Sequence, residues 1–135
     1  MVTLCNALPP GTNMTKPKRI KEQTEIALKA DQRLLKTLVR IGNGEIKYMR
    51  CFQTSSKKQL ALDLVNEGIY VWTEPVWEAA IPFQSMRRAR YEKGASRNDS
   101  LKANAPNLWR DQVADYWVFP TLGDLDAFVA WYKTL

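Results

Sequence analysis

"QLALDLVNEGIYVWTE", Gln59 to Glu74, decides how the chain is read. Two apolar runs, the second rich in β-branched and aromatic residues, flank Asn66-Glu67-Gly68. A glycine in a short polar turn between such runs marks a β-hairpin. Pro75 ends the second strand, because proline has no N–H to give to a ladder.

Outward from the hairpin, "EIKYMRCF" (45–52) reads as a further strand, and "DYWVFP" (115–120) as the last one. Upstream, Ile20, Ala27, Ala30, Leu34, Leu38 and Ile41 share one face at helical spacing, which predicts a helix over 18–41 with Gly42 just past its end. Downstream, Thr121 and Asp124 form a capping pair, and Leu122, Leu125, Val129 and Tyr132 give the apolar spacing of a terminal helix. Residues 75–85 read as a helical turn before Pro82, and a short helix is expected from Pro106 onward. The expected fold is α+β: a small, mostly antiparallel sheet of about four strands packed against an N-terminal and a C-terminal helix. Residues 1–17, with Pro9-Pro10-Gly11, Asn13 and Pro17, read as a flexible arm, and 18–135 as a single domain.

At 135 residues the chain suits one core, and 45% hydrophobic with 25% charged residues is the balance of a soluble protein. No apolar run approaches the roughly 18 residues of a membrane span, and the N-terminal charges follow the mild apolar stretch, the wrong order for a secretion signal. Cys5 and Cys51 form no CxxC pair, so a reducing, cytoplasmic location is expected. The absence of histidine excludes Ser-His-Asp and Cys-His nucleophiles, a histidine base and histidine-bound metals. No cofactor and no resident metal are expected.

The net charge of +6 is unevenly spread. Residues 1–58 hold twelve Lys/Arg against four Asp/Glu, and 81–102 hold six against two, whereas 59–80 hold four acids and no cation. Two basic blocks of this kind favour an acidic partner. In the second, Arg87, Arg88, Arg90, Lys93, Arg97 and Lys102 are interleaved with Tyr91, Gly94 and several serine and asparagine residues. Arginine forks bind phosphate in bidentate fashion, and hydroxyls and amides add hydrogen bonds. The stretch matches no phosphate-loop fingerprint, and a solubilising surface insert is the competing reading. In the first block, Lys29, Arg33, Lys36 and Arg40 fall within about 60° of one another at about 100° per residue. That stripe can follow a nucleic-acid backbone, or it is the ordinary solvated face of an amphipathic helix. The run Lys16 to Lys21 adds further cations.

Tyr48, Arg50 and Phe52 share one side of the 45–52 strand, where aromatics stack bases in some single-strand binders; Ile46 on the same side argues for core packing. Of the five tryptophans, Trp72, Trp117 and Trp131 are placed in the core by their elements, while Trp77 and Trp109 are candidates to face a partner. Glu45-Ile46-Lys47 is a fragment of a metal-dependent nuclease pattern that lacks the acid wanted on a preceding strand.

These residues lead to an expected function: a small basic protein that binds nucleic acid or a nucleoprotein complex through phosphates, with no base-reading motif. The alternative is an interaction module or inhibitor that docks on a partner protein, with the acidic 59–80 segment entering a basic groove. A metal-dependent nuclease is the third reading.

Overall fold

The computed structural model describes residues 22–43, 47–77 and 82–135. The arm over 1–17, the basic run Lys16 to Lys21, and Glu45, Ile46 and Glu78 lie outside these residues. The chain is α+β as expected, with six strands among the described residues rather than four. They are β1 (Val39–Ile41), β2 (Met49–Gln53), β3 (Gln59–Asp63), β4 (Ile69–Thr73), β5 (Arg87–Tyr91) and β6 (Ala114–Phe119). Their order is β1-β2-β3-β4-β6-β5, antiparallel throughout, so the two unexpected strands are the edges. The helices are α1 (Glu25–Leu35), the short α2 (Ser100–Asn104) and α3 (Leu122–Tyr132), with single 3-10 turns at 84–86 and 106–108. The helix expected from Pro106 is therefore only a turn, and a short helix precedes it. No described helix is long and apolar enough to cross a membrane.

The β3–β4 hairpin lies in the middle of the sheet, with Leu60 opposite Thr73 and Leu62 opposite Val71. Leu60, Leu62, Ile69 and Val71 point to one face, where Ala27, Ala30 and Leu34 of α1 and Leu125, Phe128 and Val129 of α3 cover them. Ala61 and Trp72 point to the other face and meet Leu101, Ala105 and Leu108 of the 92–113 segment. Both faces are thus dry, which explains why "LALDL" shows no clean apolar–polar alternation.

Local chemistry fixes where each helix begins. The Thr24 hydroxyl oxygen accepts from Ala27 N at 3.3 Å and donates to Asn66 O at 2.7 Å, while Thr24 N donates to Leu64 O at 2.8 Å. One residue therefore caps α1 and ties it to the β3–β4 turn. Thr121 and Asp124 form the expected cap of α3, with Asp124 N at 3.1 Å from the threonine oxygen. At the far end the Tyr132 hydroxyl donates to Gln59 O (2.6 Å) and accepts from Glu74 N (3.1 Å).

These ties orient both helices alike. Each starts near the end of the sheet where β3 finishes and stops near the end where β3 begins, called here the Asp63 end and the Gln59 end. The helix expected to reach Ile41 stops at Leu35, and Val39–Ile41 pair with β2 instead. No glycine or proline separates Leu35 from Ile41, so the helical period of Leu38 and Ile41 had no local break to contradict it.

Gly42 follows β1 with φ +72°, and a Cβ there would lie 2.7 Å from Asn104. Asn104 in turn accepts from Asn43 N at 2.8 Å and holds α2 against the sheet. Gly42→Ala combines left-handed strain with this clash and is expected to lower unfolding free energy by about 1–3 kcal/mol in a denaturant titration.

Burial and, secondarily, Asp63 push the Cys51 thiol up to about 12, and burial also raises the Tyr116 and Tyr132 phenols. All three are neutral when protonated, and their folded values exceed the unfolded ones of about 8.5 for Cys and about 10 for Tyr. The stability they contribute is complete below the unfolded values and is lost as pH rises toward the folded ones. The melting temperature should hold up to about pH 8 and fall above about pH 9. Cys51 in the native protein should resist iodoacetamide at about pH 8.5, and alkylation of Cys51 in the folded protein as fast as in the denatured chain, read by mass spectrometry, would contradict its burial.

Candidate nucleic-acid interface at one end of the sheet

The basic stretch from Arg87 to Lys102 is not a loop at its start. Arg87–Tyr91 form edge strand β5, with an irregular register at Arg88. Arg90 lies opposite Asp115 of β6, donating from Nε to Oδ1 at 2.7 Å and from Nη2 to Oδ2 at 3.0 Å. Asp115 has no exposed surface, and Val76 N (3.1 Å) and the Arg87 guanidinium (3.6 Å) also approach it. Arg90 donates as well to Val76 O at 2.6 Å. Its bonds to Asp115 raise the guanidinium pKa above its ordinary value, against the opposing effect of burial.

Arg97 is only 9% exposed and donates to four carbonyls, those of Glu92, Ala95, Leu108 and Trp109. It folds the 92–109 segment on itself, and burial lowers its pKa. Tyr91 packs edge-on to Trp72. Internal contacts therefore take up Arg87, Arg90, Tyr91 and Arg97, while Arg88, Lys93 and Lys102 are exposed.

The expected stripe on α1 is also divided. Lys29 pairs with Glu25 one turn earlier, Arg33 bonds Asp126 of α3, and Lys36 is the C-terminal cap. Arg40 is in β1 rather than the helix, bonded to Asp31 at 2.5 Å and lying over the Phe52 ring. Arg33, Lys36 and Lys133 line a groove of about 340 Å³ between α1 and α3. The carbonyl ends of both helices point there, so Lys36 and Lys133 are the cations that helix dipoles favour.

Phe52 is buried beneath α1, which leaves no exposed aromatic face on β2; Tyr48 precedes the strand, with Lys47 over its ring. Trp109, expected to face a partner, packs half-buried against the second core cluster, with Arg110 over its ring. Trp77 is different: 66% of it is exposed, and the Arg90 guanidinium lies 4.3 Å from its ring centre. Among the described residues no group of three acids or cysteines is placed to hold a metal.

Trp77 lines a cleft of about 450 Å³ with Glu74, Pro75, Lys93, Asn107, Gln112 and Val113, where β4 and β5 leave the sheet and β6 enters it. The Glu74 carboxylate accepts from Gln59 N (2.8 Å) and from the Asn107 amide (3.0 Å), which fixes one wall. This is the Gln59 end. The β2–β3 turn at the same end carries Lys57 and Lys58, and Ser56 of that turn donates to Leu135 O beyond Lys133. Lys57 has φ +73°, a left-handed conformation in a residue that is not glycine. Lys57, Lys58, Lys133, Asn107 and Gln112 escaped sequence reading; the polar "SSKK" between two strands was the signal for the first two.

Asp115→Ala would strand the Arg90 guanidinium and Val76 N without their shared acceptor. The expected loss is roughly 3–5 kcal/mol in denaturant unfolding, the usual penalty for breaking a buried pair. Compared with known proteins, the chain matches no family model, no curated protein sequence and no solved structure.

Proposed function

We propose that the protein binds nucleic acid through the Gln59 end of its sheet, by phosphate contacts and without reading base pairs. The observation that carries this reading is the gathering of unpaired lysines at that end, where they outnumber the acids Glu74, Glu92 and Asp111. Lys36, Lys57, Lys58, Lys93 and Lys133 lie on the loops and helix ends of the Gln59 end. None of the five is ion-paired among the described residues. Glu22, Glu25, Asp63, Glu67 and Asp124 gather at the opposite end, beside one exposed lysine, Lys47. Unpaired ammonium groups on one surface release counterions from a polyphosphate, and lysine acts there as a point charge.

Lys57 supports the same reading. A left-handed residue other than glycine costs about 1 kcal/mol, and glycine would remove that cost. A lysine kept in this conformation at an exposed turn points to a use for its side chain.

A second reading, docking on a partner protein, is supported by Leu28 and Leu35 on one side of α1 and by Val39 on edge strand β1, all exposed. The acidic 59–80 segment does not serve it well, since β3 and β4 are interior strands and Asp63 and Glu74 hold internal hydrogen bonds.

Fluorescence anisotropy with labelled DNA and RNA across a salt series tests the phosphate reading. For duplex DNA, log affinity should fall with log salt by about 0.9 per phosphate contacted, and Lys57→Glu with Lys58→Glu and Lys93→Glu should flatten that slope. Unchanged affinity in the triple variant would sink the assignment. Lys57→Gly should raise unfolding free energy by about 1 kcal/mol while weakening binding, separating strain from function.

A further inference from the structure

The cleft beside Trp77 differs from the lysine surface around it. An indole with two-thirds of its surface in water forgoes the burial that stabilises the other tryptophans, yet it is not loosely held. Arg90 covers one face of the ring, and Arg90 is itself fixed by two bonds to the buried Asp115 and one to Val76 O. Val76, the residue before Trp77, is fixed by its N–H on the same carboxylate, and Pro75 has its φ set by its own ring. The ring is thus held in place before any ligand arrives, which reduces the ordering cost of binding.

The other groups in the cleft narrow the ligand class. Asn107 and Gln112 carry primary amides, whose paired donor and acceptor match the hydrogen-bonding edge of a base. Lys93 supplies one positive charge at the same cleft. The Glu74 carboxylate in the same wall is occupied by Gln59 N and the Asn107 amide, which leaves Asn107 its oxygen and second N–H. With the Gln112 amide, the flat indole and Lys93, the cleft suits a nucleotide: a base to stack, an edge to bond and a phosphate near Lys93.

We infer that the Trp77 cleft accepts an unpaired nucleobase, so that the polymer held at the Gln59 end is single-stranded. This rests on the nucleic-acid reading above and adds to it the substrate class. A duplex keeps its base faces within the stack, so Trp77 can reach a base face only where the strand is unpaired. The lysines at the same end then hold the phosphates on either side of the stacked nucleotide.

The test compares three probes of equal length, a labelled oligothymidylate, a duplex and an abasic single strand, against wild type, Trp77→Ala, Trp77→Phe and Lys57→Glu/Lys58→Glu. Wild type should prefer oligothymidylate to the other two. Trp77→Ala should weaken oligothymidylate binding by roughly 5- to 150-fold, the range seen for one base stacked on an aromatic residue, and Trp77→Phe should retain most of the affinity. Neither variant should change duplex or abasic-strand binding, and both should keep the wild-type melting temperature because the ring is exposed.

If the abasic strand binds as tightly as oligothymidylate, or Trp77→Ala leaves oligothymidylate binding intact, the base-stacking inference is overturned. Loss of binding to all probes in the lysine variant would then show that the phosphate reading survives without it. If wild type binds no probe even at low salt, both readings fail together.

Discussion

The buried carboxylate of Asp115 is the interaction on which the far half of the sheet depends. It sits on β6 with no solvent contact, and four groups from two other segments converge on it or on its partner: Arg87 and Arg90 of β5, Val76 N and Val76 O. A carboxylate in that position is tolerable only because two guanidinium groups and a backbone N–H replace its water. Without it, "RRARY" has little reason to lie on an apolar sheet; with it, the strand is anchored by charge where its neighbours are anchored by burial. The same network places Trp77, because the arginine that neutralises Asp115 also lies against the indole. Core electrostatics and the candidate site are therefore one structure.

A second constraint comes from covering both faces of an antiparallel sheet. Once α1 and α3 take one face and the 92–113 segment the other, the edges and ends are what the described residues leave open to a ligand. The edges are poor surfaces for a partner strand: β1 is three residues long, and β5 is irregular at the exposed Arg88, both devices that discourage edge pairing. The ends are where the loops emerge, and among the described residues the Gln59 end combines five unpaired lysines, a cleft and an exposed tryptophan.

What the sequence disclosed and what it hid follow from the range of the forces involved. The 59–74 hairpin, the strand at 114–119 and the capped α3 were legible because turn, alternation and cap signals are local. β1 and β5 were not, since Val39–Ile41 imitates the end of a helical period and β5 owes its place to an acid 25 residues further on. Charge was misleading for the same reason. Arg97 and Arg90 look like surface residues in a list of cations, but one is wrapped around four carbonyls and the other around Asp115. Trp77 was legible as an outward residue because a proline and acidic residues surround it in sequence; its fixed setting and its neighbours Asn107 and Gln112 depended on folding.

The direction of the helices sharpens the electrostatic argument. Because α1 and α3 both end at the Gln59 end, their negative dipole ends fall beside Lys36 and Lys133 and offset part of that charge. Those two lysines are explained by the helices whether or not a ligand exists. Lys93 has no such explanation; Lys57 and Lys58 stand on the β2–β3 turn, whose Ser56 bonds Leu135 O just past the end of α3, and Lys57 holds an unfavourable backbone conformation. The field available to a phosphate is thus carried by turns rather than by a helix. A stripe drawn along α1 could not have located it, and the turns that do carry it flank the cleft where Trp77 is held.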